Sequence, residues 1–224
     1  MKLKLVLLLI LAVSTAAQAQ QARQREIPDD EQRAVINEDR GRAYLISTDT
    51  PPLFTAGNNN NIIVEPRQNS IFLGRGWETP ALRAREPELA NLLSQLSDQD
   101  QLTALAEHGV RNFFAATSSQ ERLDDRSGDR TISDLEIQKL LAGMITEGSV
   151  PRPNASAIYV VYLGPELGST LGAMIAGKHY FAYRNAFNAS GGKIHYVVVP
   201  FEADQKKAYQ IALRAFLSAA INPQ

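Results

Sequence analysis

The sequence predicts an α+β domain: one mixed β-sheet packed with helices. Three observations predict it. Ala157-Ile158-Tyr159-Val160-Val161-Tyr162-Leu163 is β-branched, aromatic and apolar throughout, the pattern of a central strand buried on both faces. Ser133 followed by Glu136 is a reciprocal capping pair ahead of a helical apolar face, Ile137, Leu140, Leu141 and Met144. Strand-like and helix-like segments then alternate along the chain, which places helices over a sheet.

The chain opens MKLKLVLLLILAVSTAAQAQ. Lys2 and Lys4 precede an unbroken apolar run from Leu5 to Val13, and Ala17-Gln18-Ala19 fits a small-x-small cleavage site. The run is short for a bilayer span. Residues 1–19 therefore read as a signal peptide, so the protein is expected to be exported, periplasmic or secreted. Residues 20–61 read as a flexible polar leader in which only Ala43-Tyr44-Leu45-Ile46 could pack. Residues 62–224 are expected to form a single domain, about 165 residues long, an ordinary single-domain size.

Composition excludes several functions. The chain has no cysteine, so disulfides, zinc-thiolate sites and thiol nucleophiles are ruled out. With 23 basic and 24 acidic residues the formal charge is -1, which gives no electrostatic footprint for nucleic acid. No later segment is long and apolar enough for a membrane span, so an integral membrane protein is not expected, and nothing calls for a cofactor.

The elements follow in order. Ser70 to Leu73 reads as a strand ended by Gly74-Arg75-Gly76. Leu89, Leu92, Leu93 and Leu96 share one helical face, with Pro87 near its start. Ser97 can cap a second helix that stops at Gly109. Val110 to Ala116 reads as a strand, and Thr117 to Arg130 as a hydrophilic loop. After the Ser133 helix, ended by Gly148, and the central strand, a Gly-rich loop is expected from Gly164 to Gly177. His179 to Tyr183 and Ile194 to Pro200 read as strands, and a final helix is expected from about Ala203 to Ala220.

Few segments carry chemistry. Gly74-Arg75-Gly76-Trp77-Glu78-Thr79 is an incomplete dinucleotide fingerprint; Thr79 stands where the third glycine belongs, so a plain strand-to-helix turn is the simpler reading. The segment from Asp125 to Glu136 places oxygen ligands Asp125, Ser127, Asp129 and Glu136 at calcium-loop spacing, but Arg130 takes the position that needs a left-handed backbone. Gly168-Ser169-Thr170-Leu171-Gly172 has Thr170 where a nucleophile elbow needs serine. None of His108, His179 and His195 forms a helical metal pair, though His179 and His195 could converge. The last helix is apolar nearly all round except for Arg214 and Ser218, four residues apart on one face. A cation on a buried helix needs a partner, for which Glu166, Glu202 and Asp204 are candidates.

In order, IFLGRGW, LLSQLSDQDQLTALAEHGV, DRTISDLEIQKLL, AIYVVYLGPELGSTLG, HYFAYRNAFNASGGKIHYVVVPF and a helix ending AAINP resemble bacterial members of the EXORDIUM, or phosphate-induced, family of exported proteins. The resemblance implies a zincin-like fold whose last helix typically carries an S-H-E-x-x-E-A-x-x-D-P metal pattern. Here Arg214 stands for the histidine, Ala215 for the general-base glutamate and Ser218 for the second carboxylate. Guanidinium cannot ligate zinc. The resemblance therefore implies a non-catalytic member in which a buried Arg214 supplies a fixed charge where the metal would sit. Arg214, Ser218, His179, His195 and Tyr183 become the pocket candidates for an extracellular or envelope ligand. An Arg214 pointing into solvent on an outer surface would collapse the non-catalytic reading that is built on it. The alternatives are a hydrolase using His179, His195 and a carboxylate, and a structural envelope protein.

Overall fold

A computed structural model describes residues 43–46, 62–93, 103, 105–111, 114–121, 130–189, 192–221 and 223. All fall within one compact unit, Val35–Gln224. The signal peptide lies outside the described residues.

The main sheet is built from β1 (Tyr44–Ile46), β2 (Arg67–Leu73), β3 (Phe114–Glu121), β5 (Ala157–Leu163), β8 (Ala182–Ala189) and β9 (Gly192–Val199), in the order β1-β8-β9-β5-β2-β3. The four strands β9, β5, β2 and β3 run parallel, β8 is antiparallel to β9, and β1 pairs antiparallel with β8. A smaller sheet joins β4 (Arg130–Ser133), β6 (Leu167–Leu171) and β7 (Met174–Ile175) in the order β4-β6-β7. Helices α1 (Pro80–Arg83) and α2 (Glu86–Leu89) are single turns; α3 (Asp134–Glu147) and α4 (Gln205–Ile221) are the long ones.

Side chains alternate across a strand, so the all-apolar β5 feeds two cores at once. Ile158, Val160 and Tyr162 face the cluster that takes Ala212, Ala215, Phe216 and Ala219 of α4. Tyr159, Val161 and Leu163 face the cluster that takes Ile137, Leu141 and Met144 of α3. The sheet is thus a central layer between two helices. The start of α3 is the expected capping box: Glu136 N–H donates to Ser133 Oγ, and Glu136 Oε2 accepts from Ser133 N–H at 2.9 Å. Gly148 ends it at φ +80°, a conformation glycine adopts without steric cost.

Four expectations change. The expected strand from Val110 to Ala116 lies further on, at Phe114–Glu121, and takes in part of the expected loop. An edge strand is held by backbone bonds to β2, which no side-chain pattern announces. The Gly-rich loop from Gly164 to Gly177 contains β6 and β7; its signal was the alternation of Leu167, Ser169 and Leu171, all buried. The helix expected to carry Leu89, Leu92, Leu93 and Leu96 on one face ends at Leu89, because side chains from other elements take its freed backbone groups; Leu96 lies outside the described residues. Leu92 N–H donates to Gln68 Oε1 at 3.1 Å, and Tyr162 Oη donates to the Leu89 carbonyl at 2.7 Å. Finally, Tyr44–Ile46, within the expected leader, is an edge strand of the main sheet, with Ile46 buried.

Candidate functional site

Helix α4 is where the family resemblance would put metal chemistry. It lies against β8 and β9 with its small residues inward. Ala215 is fully buried, and Ser218 Oγ accepts a hydrogen bond from Arg184 Nε at 2.8 Å. Arg214, however, is exposed. The expectation of a buried charge there is overturned, and with it the argument that this cation stands in for a metal. The reason is helical geometry: one step of about 100° separates Arg214 from Ala215, enough to carry it out of the interior. A buried cation on this face of the sheet is Arg184 of β8, 3% exposed. A lone Arg amid HYFAYRNAF was the sequence sign of it.

The two histidines have different surroundings. The strand expected from His179 begins only at Ala182; His179 itself sits in the turn after β7, its Nδ1 accepting from Ile175 N–H at 2.9 Å. His195 is partly buried on β9, opposite Ile158 and Ala186. Burial, helped by the charges of Lys193 and Arg184, holds its pKa below the ordinary imidazole value. Its charged neighbours are cations, the wrong sign for a base oriented by a carboxylate. Among the described residues no group of three His, Asp or Glu side chains could hold a metal ion.

On the α3 face, Tyr183 belongs to a polar cluster centred on Asp134, which is 1% exposed at the first residue of α3. Asp134 accepts from Tyr196 Oη at 2.6 Å, Gln138 Nε2 at 2.8 Å and Asn185 Nδ2 at 3.2 Å. Three donors and the first turn of α3 thus converge on this carboxylate. The neighbouring Tyr183 hydroxyl is buried without a hydrogen bond of good geometry. Burial, reinforced by the Asp134 charge, pushes its pKa well up. Next to it, Tyr180 is paired with Ser169 at 2.9 Å, and burial pushes its pKa to about 12. All these phenols stay neutral at ordinary pH, and the cluster fastens α3 to β8 and β9. No sequence pattern revealed it, since an acid at the first turn of a helix is ordinarily exposed.

Calcium-loop residues Asp125, Ser127 and Asp129 lie outside the described residues. The fourth, Glu136, is engaged: Oε2 is in the capping box and Oε1 pairs with Arg130 at 2.5 Å. Arg130 itself begins strand β4.

The carboxyl ends of β2, β5 and β9 form the remaining candidate. Strand β2 has β3 on one side and β5 on the other, so chain order reverses there, the place where parallel sheets open a crevice. The Gly74-Arg75-Gly76 turn lies at this point, but its glycines serve the chain itself. Gly76 N–H donates to both Glu166 carboxylate oxygens, at 3.0 and 3.2 Å. A Cβ on Gly74 would meet Glu166 Oε1 at 2.5 Å, and one on Gly76 would meet Pro165 Cδ at 2.3 Å. The turn is shaped to admit a carboxylate of its own chain, which explains the partial glycine pattern without a nucleotide. Beside it lie Trp77, whose indole N–H donates to the Tyr162 carbonyl at 3.1 Å, and Arg85, only 8% exposed. Nothing in the sequence ALRAREP singled out Arg85 as an interior residue.

No protein-family model, curated protein or solved structure matches this chain. No helix among the described residues is long and apolar enough to cross a membrane.

Proposed function

We propose that this is an exported, non-catalytic binding domain for an extracellular or envelope ligand, a divergent zincin-like relative of the EXORDIUM family. The observation that carries the reading is what α4 does at the positions the resemblance assigns to the metal. Ala215 is packed into the core, and Ser218 is spent on Arg184. A zinc peptidase needs ligands and an open coordination position at that place. These two side chains instead join the helix to the sheet. Arg214, exposed on the outer side of α4, takes no part in it. The position of α4 after the last strand of a mixed sheet supports the zincin-like part of it.

The test is metal analysis and peptide hydrolysis on the mature protein recovered from an exporting cell. The expected result is a chain beginning at Gln20, without stoichiometric zinc and without hydrolysis. Stoichiometric zinc, or hydrolysis abolished by a chelator, would overturn the non-catalytic reading. Retention of the first 19 residues on an unexported chain would overturn the export reading.

A further inference from the structure

We propose that the crevice at the carboxyl ends of β5 and β9 is a binding site for a single small anion of halide size, held by Arg85. Arg85 is a buried cation that pairs with no carboxylate among the described residues. One terminal nitrogen donates to the Glu202 carbonyl at 2.9 Å and the other to the Ala203 carbonyl at 3.5 Å. Its third contact is the Phe201 ring, 5.7 Å from the guanidinium carbon. Its Nε–H has no acceptor among the described residues. Carbonyl dipoles and a ring face solvate a guanidinium but do not neutralise it, and a buried charge left uncompensated is costly.

The compensating group has a place to sit. Arg85 lines a small cavity together with Trp77, Leu89, Tyr162, Phe201 and Ala208. The walls leave room for about one water-sized group, which excludes a bulky ligand and suits a monatomic anion. The one carboxylate on the wall, Glu202, is already committed: Oε2 pairs with Lys207 Nζ at 2.6 Å and Oε1 accepts from Asp204 N–H at 3.1 Å. Orphan donor, unpaired cation and cavity size converge on one occupant.

The protein carries its own reporter. Trp77 is the single tryptophan of the chain, lines the cavity and is 3% exposed, so a quencher in bulk solvent hardly reaches it. The experiment titrates sodium iodide into the full mature chain, with ionic strength held by sodium gluconate, whose anion is too bulky for the cavity. Trp77 emission is expected to fall along a saturating curve. Added chloride should compete, moving half-saturation to higher iodide. Arg85→Met should lose the saturating component. A shallow, non-saturating line indifferent to chloride means the cavity holds only water and overturns the proposal. So does saturating quenching retained in folded Arg85→Met. If that variant does not fold, chloride competition in the unaltered chain decides alone. The outcome is independent of the metal analysis, because no residue is shared with the α4 site.

Discussion

Two tyrosines on the same face of the sheet should respond with opposite sign to loss of their hydroxyls. Tyr196 Oη donates to Asp134 at 2.6 Å and accepts from Gln138 Nε2 at 3.1 Å. Tyr196→Phe removes a buried, charge-assisted hydrogen bond, worth about 1.5–3 kcal/mol. The ring contacts remain, edge to face with Phe187 at 5.7 Å and Tyr183 at 6.4 Å, so no cavity penalty is added. Asp134 keeps Gln138, Asn185 and the helix terminus, which places the loss near 2 kcal/mol, about 4–8 °C in melting temperature at this chain length. Tyr183 is equally buried but its hydroxyl makes no proper hydrogen bond. Tyr183→Phe removes an unsatisfied polar atom, so stability should hold or rise by up to about 1 kcal/mol. Urea unfolding of both variants, with unchanged denaturant slopes, is the assay. Equal losses in the two variants, or a loss below about 0.5 kcal/mol in Tyr196→Phe, would refute the assignment of Asp134 as the centre of the cluster.

Three further predictions concern other parts of the fold. Ile46 is 1% exposed on a three-residue edge strand, so Ile46→Ala should cost about 2–4 kcal/mol by urea unfolding, whereas an expendable leader would show no change. Ser133→Ala should cost about 1 kcal/mol through the lost cap. The Ser133 backbone N–H, with the Ser133 hydroxyl and Arg130 adding to it, holds the Glu136 carboxyl below its ordinary value of 4.5. Ser133→Ala keeps the backbone bond and loses the hydroxyl's share, which is present above pH 4.5 and lost as pH falls through the lowered value, so the gap in melting temperature between the two chains should narrow there. Burial and two nearby cations depress His195, so the unfolded chain takes up its proton more readily than the folded one. Stability should therefore fall as pH drops below about 6.5, the unfolded histidine value, and His195→Gln should flatten that limb of the melting curve.

What the sequence determined by itself was whatever is encoded locally. An apolar run with no polar face fixes β5 as a central strand, and Ser133, Glu136 and Gly148 fix both ends of α3. The apolar face of α4 was legible too, because helical periodicity selects neighbours on the same element. The partners of charged and polar groups were not. Arg214, Arg184 and Arg85 are chemically alike, yet only the last two are interior, since burial depends on where a strand edge or helix turn comes to rest. Asp134 and Tyr196 lie 62 positions apart and meet only because α3 packs over β9. Glu166 and Gly76 are 90 apart and meet because β2 and β5 end side by side. A hydrogen bond or an ion pair is a distance in space, and the fold alone sets distances between residues far apart in the chain.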